Sequence, residues 1–446
     1  SVMENNGLEY ATGVMSGVSN TTNAAGEAKT AQAAQALIDD LKATGWEASG
    51  NPNAKDSYEA ITTGVATDLK LADMAGLDFE DEKWSELLNS LSLETLHAIY
   101  QSSAYGTAEI SSINKPTAYV YDGPEGCHNV VGPAEILLAA TFNEQLVWEY
   151  GEINGDLAVL DNYTGWYAPA TNIHRTPFSG RNYEYFSEDS FLSGTMSVAM
   201  TQGAASKGLN AVPKHMALND QETNRDANGG VATYCREQAI REIYLRPFED
   251  ALTEGKAMGV MSAMNRIGSV RCRSNYALNI NVLRGEWGYE GFVITDYNVI
   301  STSESEACLA GGCNLQLTGM ANPLPETSSQ GVQYLLRDSL HRTLYFCANS
   351  RLVAGIGDNY SAGVPVYVLL LIAIDAVVVA YIVCGILLNV YNIRFANRAE
   401  VTAGMKKKRL ILNVVYYALL AAFIIAVLVI FFAWGLPLLQ QAYKIS

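Results

Sequence analysis

Gly291-Phe-Val-Ile-Thr-Asp-Tyr297 is the stretch on which the fold turns. Gly291 to Ile294 is short, apolar and bounded by glycine, the pattern of a strand buried on both faces of a parallel sheet. The strand then stops on a carboxylate, Asp296, beside an aromatic ring, Tyr297. In a (β/α)8 barrel the carboxyl ends of the strands form the catalytic face, so an acid there stands where chemistry is done. A lone strand-end aspartate reads more simply as the cap of the next helix. How the neighbouring strands end decides between the two.

Working outward, apolar runs that read as strands recur at 116–121, 135–140, 165–168, 209–213, 257–263 and 314–317. Helical patterns separate them, clearest at 237–252 and 278–286. A further helix is expected over 83–91, where Trp84, Leu87, Leu88 and Leu91 share one face. This βα alternation places the chain in the α/β class, as a (β/α)8 TIM-like barrel over residues 76–350 with seven strands legible. Residues 1–75 read as a linker or part of an upstream region, with one amphipathic helix at 31–44 and no core-forming pattern. The sequence starts on Ser1, with neither Met nor a charged-then-apolar leader, as a processed chain or a fragment would.

The last part of the chain differs in kind. Residues 364–393 carry a single charge, Asp375, and residues 410–439 carry none. Each exceeds the roughly 20 apolar residues that span a bilayer, so two transmembrane helices are expected. The loop between them, 394–409, holds Arg394, Arg398, Lys406, Lys407, Lys408 and Arg409 against Glu400 alone. By the positive-inside rule this loop is cytoplasmic and the barrel lies outside the cell, on a chain whose partner is the lipid bilayer. A buried soluble hairpin is the competing reading, but runs this long rarely fit a globular core.

Charge and cysteine use narrow the function classes. The chain has 29 Lys and Arg against 46 Asp and Glu, and the first 360 residues hold 22 against 44. A surface so acidic argues against nucleic acid as a partner, since binding there neutralises phosphates. The seven cysteines form no C-x2-C pair and the five histidines show no ligand spacing, so no metal and no other cofactor is expected. Cys308 and Cys313 are near enough in sequence to bridge, but buried thiols are the simpler reading.

The strand ends, taken together, settle the opening question. Tyr121 leads to Asp122-Gly-Pro, and the run after Tyr167 leads to NIHRTPFSGRNYEYFSEDS (172–190). Pro213 leads to KHMALNDQETNR (214–225), Met264 to Asn265-Arg266, and Ile294 to Thr295-Asp296-Tyr297. Asp, Arg, Lys-His, Asn-Arg and Asp thus converge on one rim with aromatic rings nearby. Such a rim suits a polyhydroxylated ligand, because charged groups pair with hydroxyls and rings stack on sugar faces.

These runs, with EQAIREIYLRPFEDAL (237–252) and RGEWGYEGFVITDY (284–297), resemble the glycoside hydrolase family 3 β-glucosidases. The resemblance covers about residues 76–350 and implies a retaining, exo-acting β-glycosidase that cleaves terminal β-linked sugars. It implies Asp296 as the nucleophile, with Asp122, Arg175, Lys214 and His215 holding the sugar and Arg225 supporting them. Tyr297 stands where the family usually has Trp, and Met264 where many members have a Tyr that orients the nucleophile. His174 and His128 are read as structural. In most of the family the general acid is a Glu from an α/β sandwich domain, and the Gly-His-Gly-Asp pattern of the N-acetylglucosaminidase branch is absent after Lys214. The acid is therefore expected outside this chain, on an upstream sandwich domain. The alternative is a membrane-tethered carbohydrate-binding protein without its own general acid.

Overall fold

Polar side chains end up on one rim because the strands run parallel and in register. A computed structural model describes residues 35–101, 103, 105–127, 130–225, 230–297, 302–318, 329–353, 366–398 and 400–430. Strands β1 (Gly106–Thr107), β2 (Ala118–Asp122), β3 (Tyr163–Tyr167) and β4 (Asn210–Ala211) form one sheet in that order. β5 (Gly259–Met261) pairs in parallel with β6 (Phe292–Ile294). Single parallel bridges, Met216 to Ser262 and Ile294 to Leu315, carry the pairing from the end of β4 through β5 and β6 to Leu315.

The result is a TIM-barrel-like α/β fold that departs from eightfold regularity. Among the described residues, β2 to β6 and single bridges at Ala170–Lys214, Met216–Ser262 and Ile294–Leu315 carry the barrel's parallel pairing. β1 runs antiparallel to β2, and a separate small sheet pairs Ala232–Thr233 in parallel with Arg266–Ile267. The strand expected at 135–140 is instead a helical turn, Glu135–Ala139. Leu and Ala are strong helix formers and an acid in the first turn complements the helix dipole, so a short apolar run here folds helically.

Side chains alternate along the strands as the pleat requires. Phe292 and Ile294 join one buried cluster with Val120, Tyr167, Met261 and Leu315, whereas Val293 joins a second with Val260 and Ala211. The surrounding helices are α1 (Glu144–Asp161), α2 (Ser190–Ala205), α3 (Arg246–Thr253) and α4 (Gln330–Ala348). Asn143 and Asp189 cap α1 and α2 by accepting from the backbone N–H of Leu146 and Leu192. Gly151 and Gly203 let α1 and α2 approach closely, since a Cβ at either would strike the other helix's backbone. α4 closes the wall by setting Phe346 on Phe292, ring centroids 4.8 Å apart. The helices expected at 83–91, 237–252 and 278–286 are present, the last as a π-helix over Ala277–Glu286.

Residues 35–75 are not a free linker. After a helix at Gln35–Lys42, Trp46, Leu71 and Met74 are buried in the barrel's core cluster. Asn51 donates to the Ala310 carbonyl at 2.9 Å and Gly331 N donates to the Lys55 carbonyl at 2.9 Å. These anchors are isolated in sequence, without the periodicity that announces a core segment. The start of the helix expected at 31–44 lies outside the described residues.

The chain divides into units at 1–359 and 360–446. The second holds α5 (Val366–Ala396) and α6 (Ala403–Ile430). Within it Tyr381 and Tyr416 stack at 4.6 Å, and Asn392 Nδ2 donates to Asn413 Oδ1 at 3.0 Å. Among the described residues one helix, over Asp375–Ala396, is long and apolar enough to cross a membrane. The second expected span, 410–439, runs past the described residues at 431.

Candidate active site

Asp296 stands two residues beyond β6 with its side chain 10% exposed. One carboxylate oxygen, Oδ1, accepts from the Tyr297 N–H at 2.7 Å. The other, Oδ2, is buried without a hydrogen-bond partner among the described residues. It lies 3.6 Å from Arg225 Nη1, itself buried and unbonded, and 3.8 Å from His215 Nε2. Burial pushes the Asp296 carboxyl above its ordinary value, against the pull of Arg225, the Tyr297 N–H, Arg181 and Lys214. Met264 is buried and gives Asp296 Oδ2 no hydrogen bond.

A second cluster sits at the ends of β2 and β4. Lys214, 4% exposed, donates to Asp122 Oδ1 at 2.7 Å and lies 3.2 Å from Glu184 Oε1. Burial alone would lower the lysine's pKa, but Glu184 and Asp122 outweigh it and hold the ammonium charged. The Asp122 side chain remains 41% exposed. Arg181 lies 2.5 Å from Glu184 Oε2 and 3.6 Å from Glu222 Oε1, tying this cluster to the neighbours of Asp296.

His215 links the two. Asn172 grips its peptide from both sides, donating to the His215 carbonyl at 2.9 Å and accepting its N–H at 2.8 Å. Burial, then Arg181, Lys214 and Arg225, drives the imidazole pKa well down, so the ring is neutral. Arg181 Nη2 donates to Nε2 at 3.3 Å, which leaves the proton on Nδ1, 3.4 Å from the Tyr185 hydroxyl. The Asp296–His215 approach is therefore not an ion pair, and among the described residues Arg225 is the cation nearest Asp296.

Of the residues expected at the site, Asp296, Asp122, Lys214, His215, Arg225 and Tyr297 come together, and Met264 is buried. Arg175 does not join them: its guanidinium pairs with Asp220 and reaches Gln221 Oε1 at 3.5 Å, with half its side chain exposed. Arg181, from the same run, joins the cluster through Glu184 and Glu222. The spacing Arg181-x-x-Glu184 was a usable signal, because it is a local ion pair buried at 17% and 7% exposure. Tyr105 carried no such signal. Its ring faces Tyr297 at 6.5 Å and 19°, forming an exposed aromatic wall whose hydroxyl feels Asp122, Lys214 and Asp296. Glu135 was hidden by its misread strand. It is fully buried, accepts from Ala170 N–H at 3.1 Å, and burial raises its pKa well above the ordinary carboxylate value. His174 is structural, its Nε2 bonded to the Tyr185 carbonyl at 2.9 Å, and His128 lies outside the described residues.

Among the described residues no group of His, Cys, Asp and Glu has metal-holding geometry, and the cysteines are free thiols. Cys308 and Cys313 are buried, and desolvation raises both above ordinary thiol values.

The parallel strands thus carry a shielded carboxylate and a charged, aromatic-walled rim at their carboxyl ends. The chain belongs to glycosyl hydrolase family 3, residues 76–333 matching the model of that family's N-terminal domain. It is 37% identical over 204 residues to β-glucosidase A of Butyrivibrio fibrisolvens, covering 44% of this chain and 24% of that protein. It is 38% identical over 204 residues to a β-glucosidase of Ruminococcus albus, covering 44% and 21%. The chain thus spans about a quarter or less of the length of these relatives. Among solved structures it resembles β-glucosidase 3B from Thermotoga neapolitana in complex with glucose, at TM-score 0.54 and 31% identity over 61% of this chain and 44% of that one.

Proposed function

We propose that this chain carries the nucleophile-bearing barrel of a retaining, exo-acting β-glycosidase of the β-glucosidase type. The observation that carries this reading is the contrast within the rim. Asp296 Oδ2 is buried, without a hydrogen-bond partner among the described residues and 3.6 Å from a guanidinium, while Asp122 is paired to Lys214 with its side chain 41% exposed. Asp296 then attacks the anomeric carbon, and its other oxygen is fixed by the Tyr297 N–H so that the free oxygen points at the reacting atom. Arg225 keeps the carboxylate ionised before attack. Asp122, Lys214, Arg181 and His215 hold the hydroxyls of the terminal sugar, and Tyr105 and Tyr297 wall the entrance.

A retaining glycosidase also needs a general acid about 5–5.5 Å from the nucleophile. Glu222 shares Arg225 with Asp296, at 3.0 Å from Nε, and lies 3.6 Å from Arg181, so it is held in the ion-pair network, while burial raises its carboxyl above the ordinary value against both arginines. The acid is assigned to an upstream α/β sandwich domain of a longer protein, and no cofactor enters the mechanism. The division of labour gives a test. A 2,4-dinitrophenyl leaving group departs without protonation, so the chain alone should hydrolyse that β-glucoside through Asp296 while alkyl glucosides turn over far more slowly. Glucose binding without any Asp296-dependent hydrolysis of the activated substrate would favour the carbohydrate-binding alternative.

The apolar helix at Asp375–Ala396 and the basic loop support a membrane-anchored protein with its barrel outside the cell and residues 394–409 in the cytoplasm. External protease on intact cells should release a barrel-sized fragment and spare a tag at Gly404. A cleaved tag with a protected barrel reverses the orientation.

A further inference from the structure

The second unit carries an apolar groove between α5 and α6, of about 610 Å3, lined by residues including Val377, Tyr381, Cys384, Leu388, Tyr391 and Leu412. That volume is within the roughly 300–1,000 Å3 typical of ligand sites. Along α5 the lining runs from Val377 to Tyr391, about 20 Å at 1.5 Å per residue. One leaflet provides about half of the ~30 Å hydrocarbon core, so the groove has the length of a single extended acyl chain.

Charge gathers at one end of it. Arg394 follows Tyr391 by one helical turn, and Arg409 precedes Leu412 by one turn. Arg409 is fixed there, donating from Nε to Asn392 Oδ1 at 2.8 Å with its guanidinium 4.9 Å over the Phe395 ring. Arg394, Lys406, Lys407 and Lys408 are exposed around it, opposed in this loop only by Glu400. The groove wall is nearly all apolar, so its occupant is held there by shape and apolar contact, and its charge must sit at the basic end.

We propose that the second unit is a binding site for an anionic phospholipid, one acyl chain lying in the α5–α6 groove and the phosphate headgroup against Arg394, Lys406, Lys407 and Lys408. This rests on the membrane-anchored reading. The site ties the enzyme to the leaflet in which anionic lipid is enriched and fixes the hairpin's depth in the bilayer.

The test uses the full chain in neutral detergent, titrated with phosphatidylglycerol or phosphatidylcholine, with bound lipid counted by native mass spectrometry. Phosphatidylglycerol should be retained preferentially, and Lys408→Gln should cut that preference about fivefold, the worth of one basic side chain beside an anionic headgroup. Filling the groove with Ala380→Trp or, as an independent variant, Cys384→Trp should abolish retention while leaving the monomer folded. Equal retention of both lipids, or full retention by both groove-filled variants, overturns the site. So does a dimer that the groove-filling variants dissociate, because a second copy would then be the occupant. A chain that alkaline carbonate strips from membranes overturns the anchoring reading, and this site with it. A chain that resists carbonate yet shows no lipid preference overturns the lipid site alone.

Discussion

Asp122 and Asp296 are both aspartates at the carboxyl ends of parallel strands, and they sit in opposite electrostatic states. Asp122 is half open to solvent and bonded at 2.7 Å to a buried lysine that also meets Glu184. Asp296 is nearly closed off, with one oxygen held by a backbone N–H and the other unbonded beside an arginine. A carboxylate whose charge is spent on a neighbour can hold a hydroxyl, while one left under-solvated keeps its reactivity. On the proposed reading, this difference separates holding from attacking more clearly than position in the barrel does.

The largest way to break this comparison is Asp296→Asn. Turnover of an activated aryl β-glucoside should fall on the order of 10⁴-fold or more, the usual cost of losing a nucleophile. The same change should stabilise the fold at neutral pH. Burial raises the Asp296 pKa in the folded state, so the folded protein binds that proton more tightly than the unfolded chain does. Stability from this group is present below the unfolded value and is lost as pH rises through the raised folded one. The gain in Tm for Asp296→Asn should thus appear only above the ordinary carboxylate range, and a thermal melt series across pH checks it. A variant that loses activity and also loses Tm at every pH would mean that Asp296 is a structural ion-pair partner.

Asp122→Ala comes next. Charge-assisted hydrogen bonds to hydroxyls are worth about 1.5–3 kcal/mol, so kcat/KM should fall about 10- to 100-fold. A loss below about threefold would remove Asp122 from the sugar-holding set. Arg225→Met tests the link between the two regions. Arg225 lowers the Asp296 pKa against burial, so its removal should move the acid limb of the kcat/KM profile to higher pH. An unmoved limb would show that another group sets it. The smallest effect is expected for Arg175→Ala. Its side chain is half exposed and bound to Asp220, so kcat/KM should stay within about threefold while Tm drops, because Asp220 is left buried without its cation.

How far the sequence carried these assignments follows from which contacts are local. Asp122, Lys214, His215 and Asp296 were legible because each interrupts or follows an apolar run at a strand end, a position the chain itself declares. The choice between Arg175 and Arg181 was not legible. Both lie in the run 172–190, and only the path of that loop decides which guanidinium turns inward. Tyr105 reaches the site across space from a short antiparallel strand that has no periodicity. Trp46, Leu71 and Met74 are single anchors, and a lone apolar residue in a polar stretch does not announce that it is buried. The run at Glu135 shows the limit of reading apolar runs as strands: helix-forming composition outweighed its shortness.

The central claim is that Asp296 forms the bond to the sugar. The most direct measurement is trapping with 2,4-dinitrophenyl 2-deoxy-2-fluoro-β-glucoside, whose activated leaving group needs no general acid and whose fluorine slows breakdown of the glycosyl-enzyme. After digestion, mass spectrometry should find one fluoroglucosyl adduct on the peptide carrying Asp296, and none in Asp296→Asn. An adduct on a different carboxylate, or Asp296-independent release of dinitrophenolate at the rate of the unmodified chain, would contradict the account.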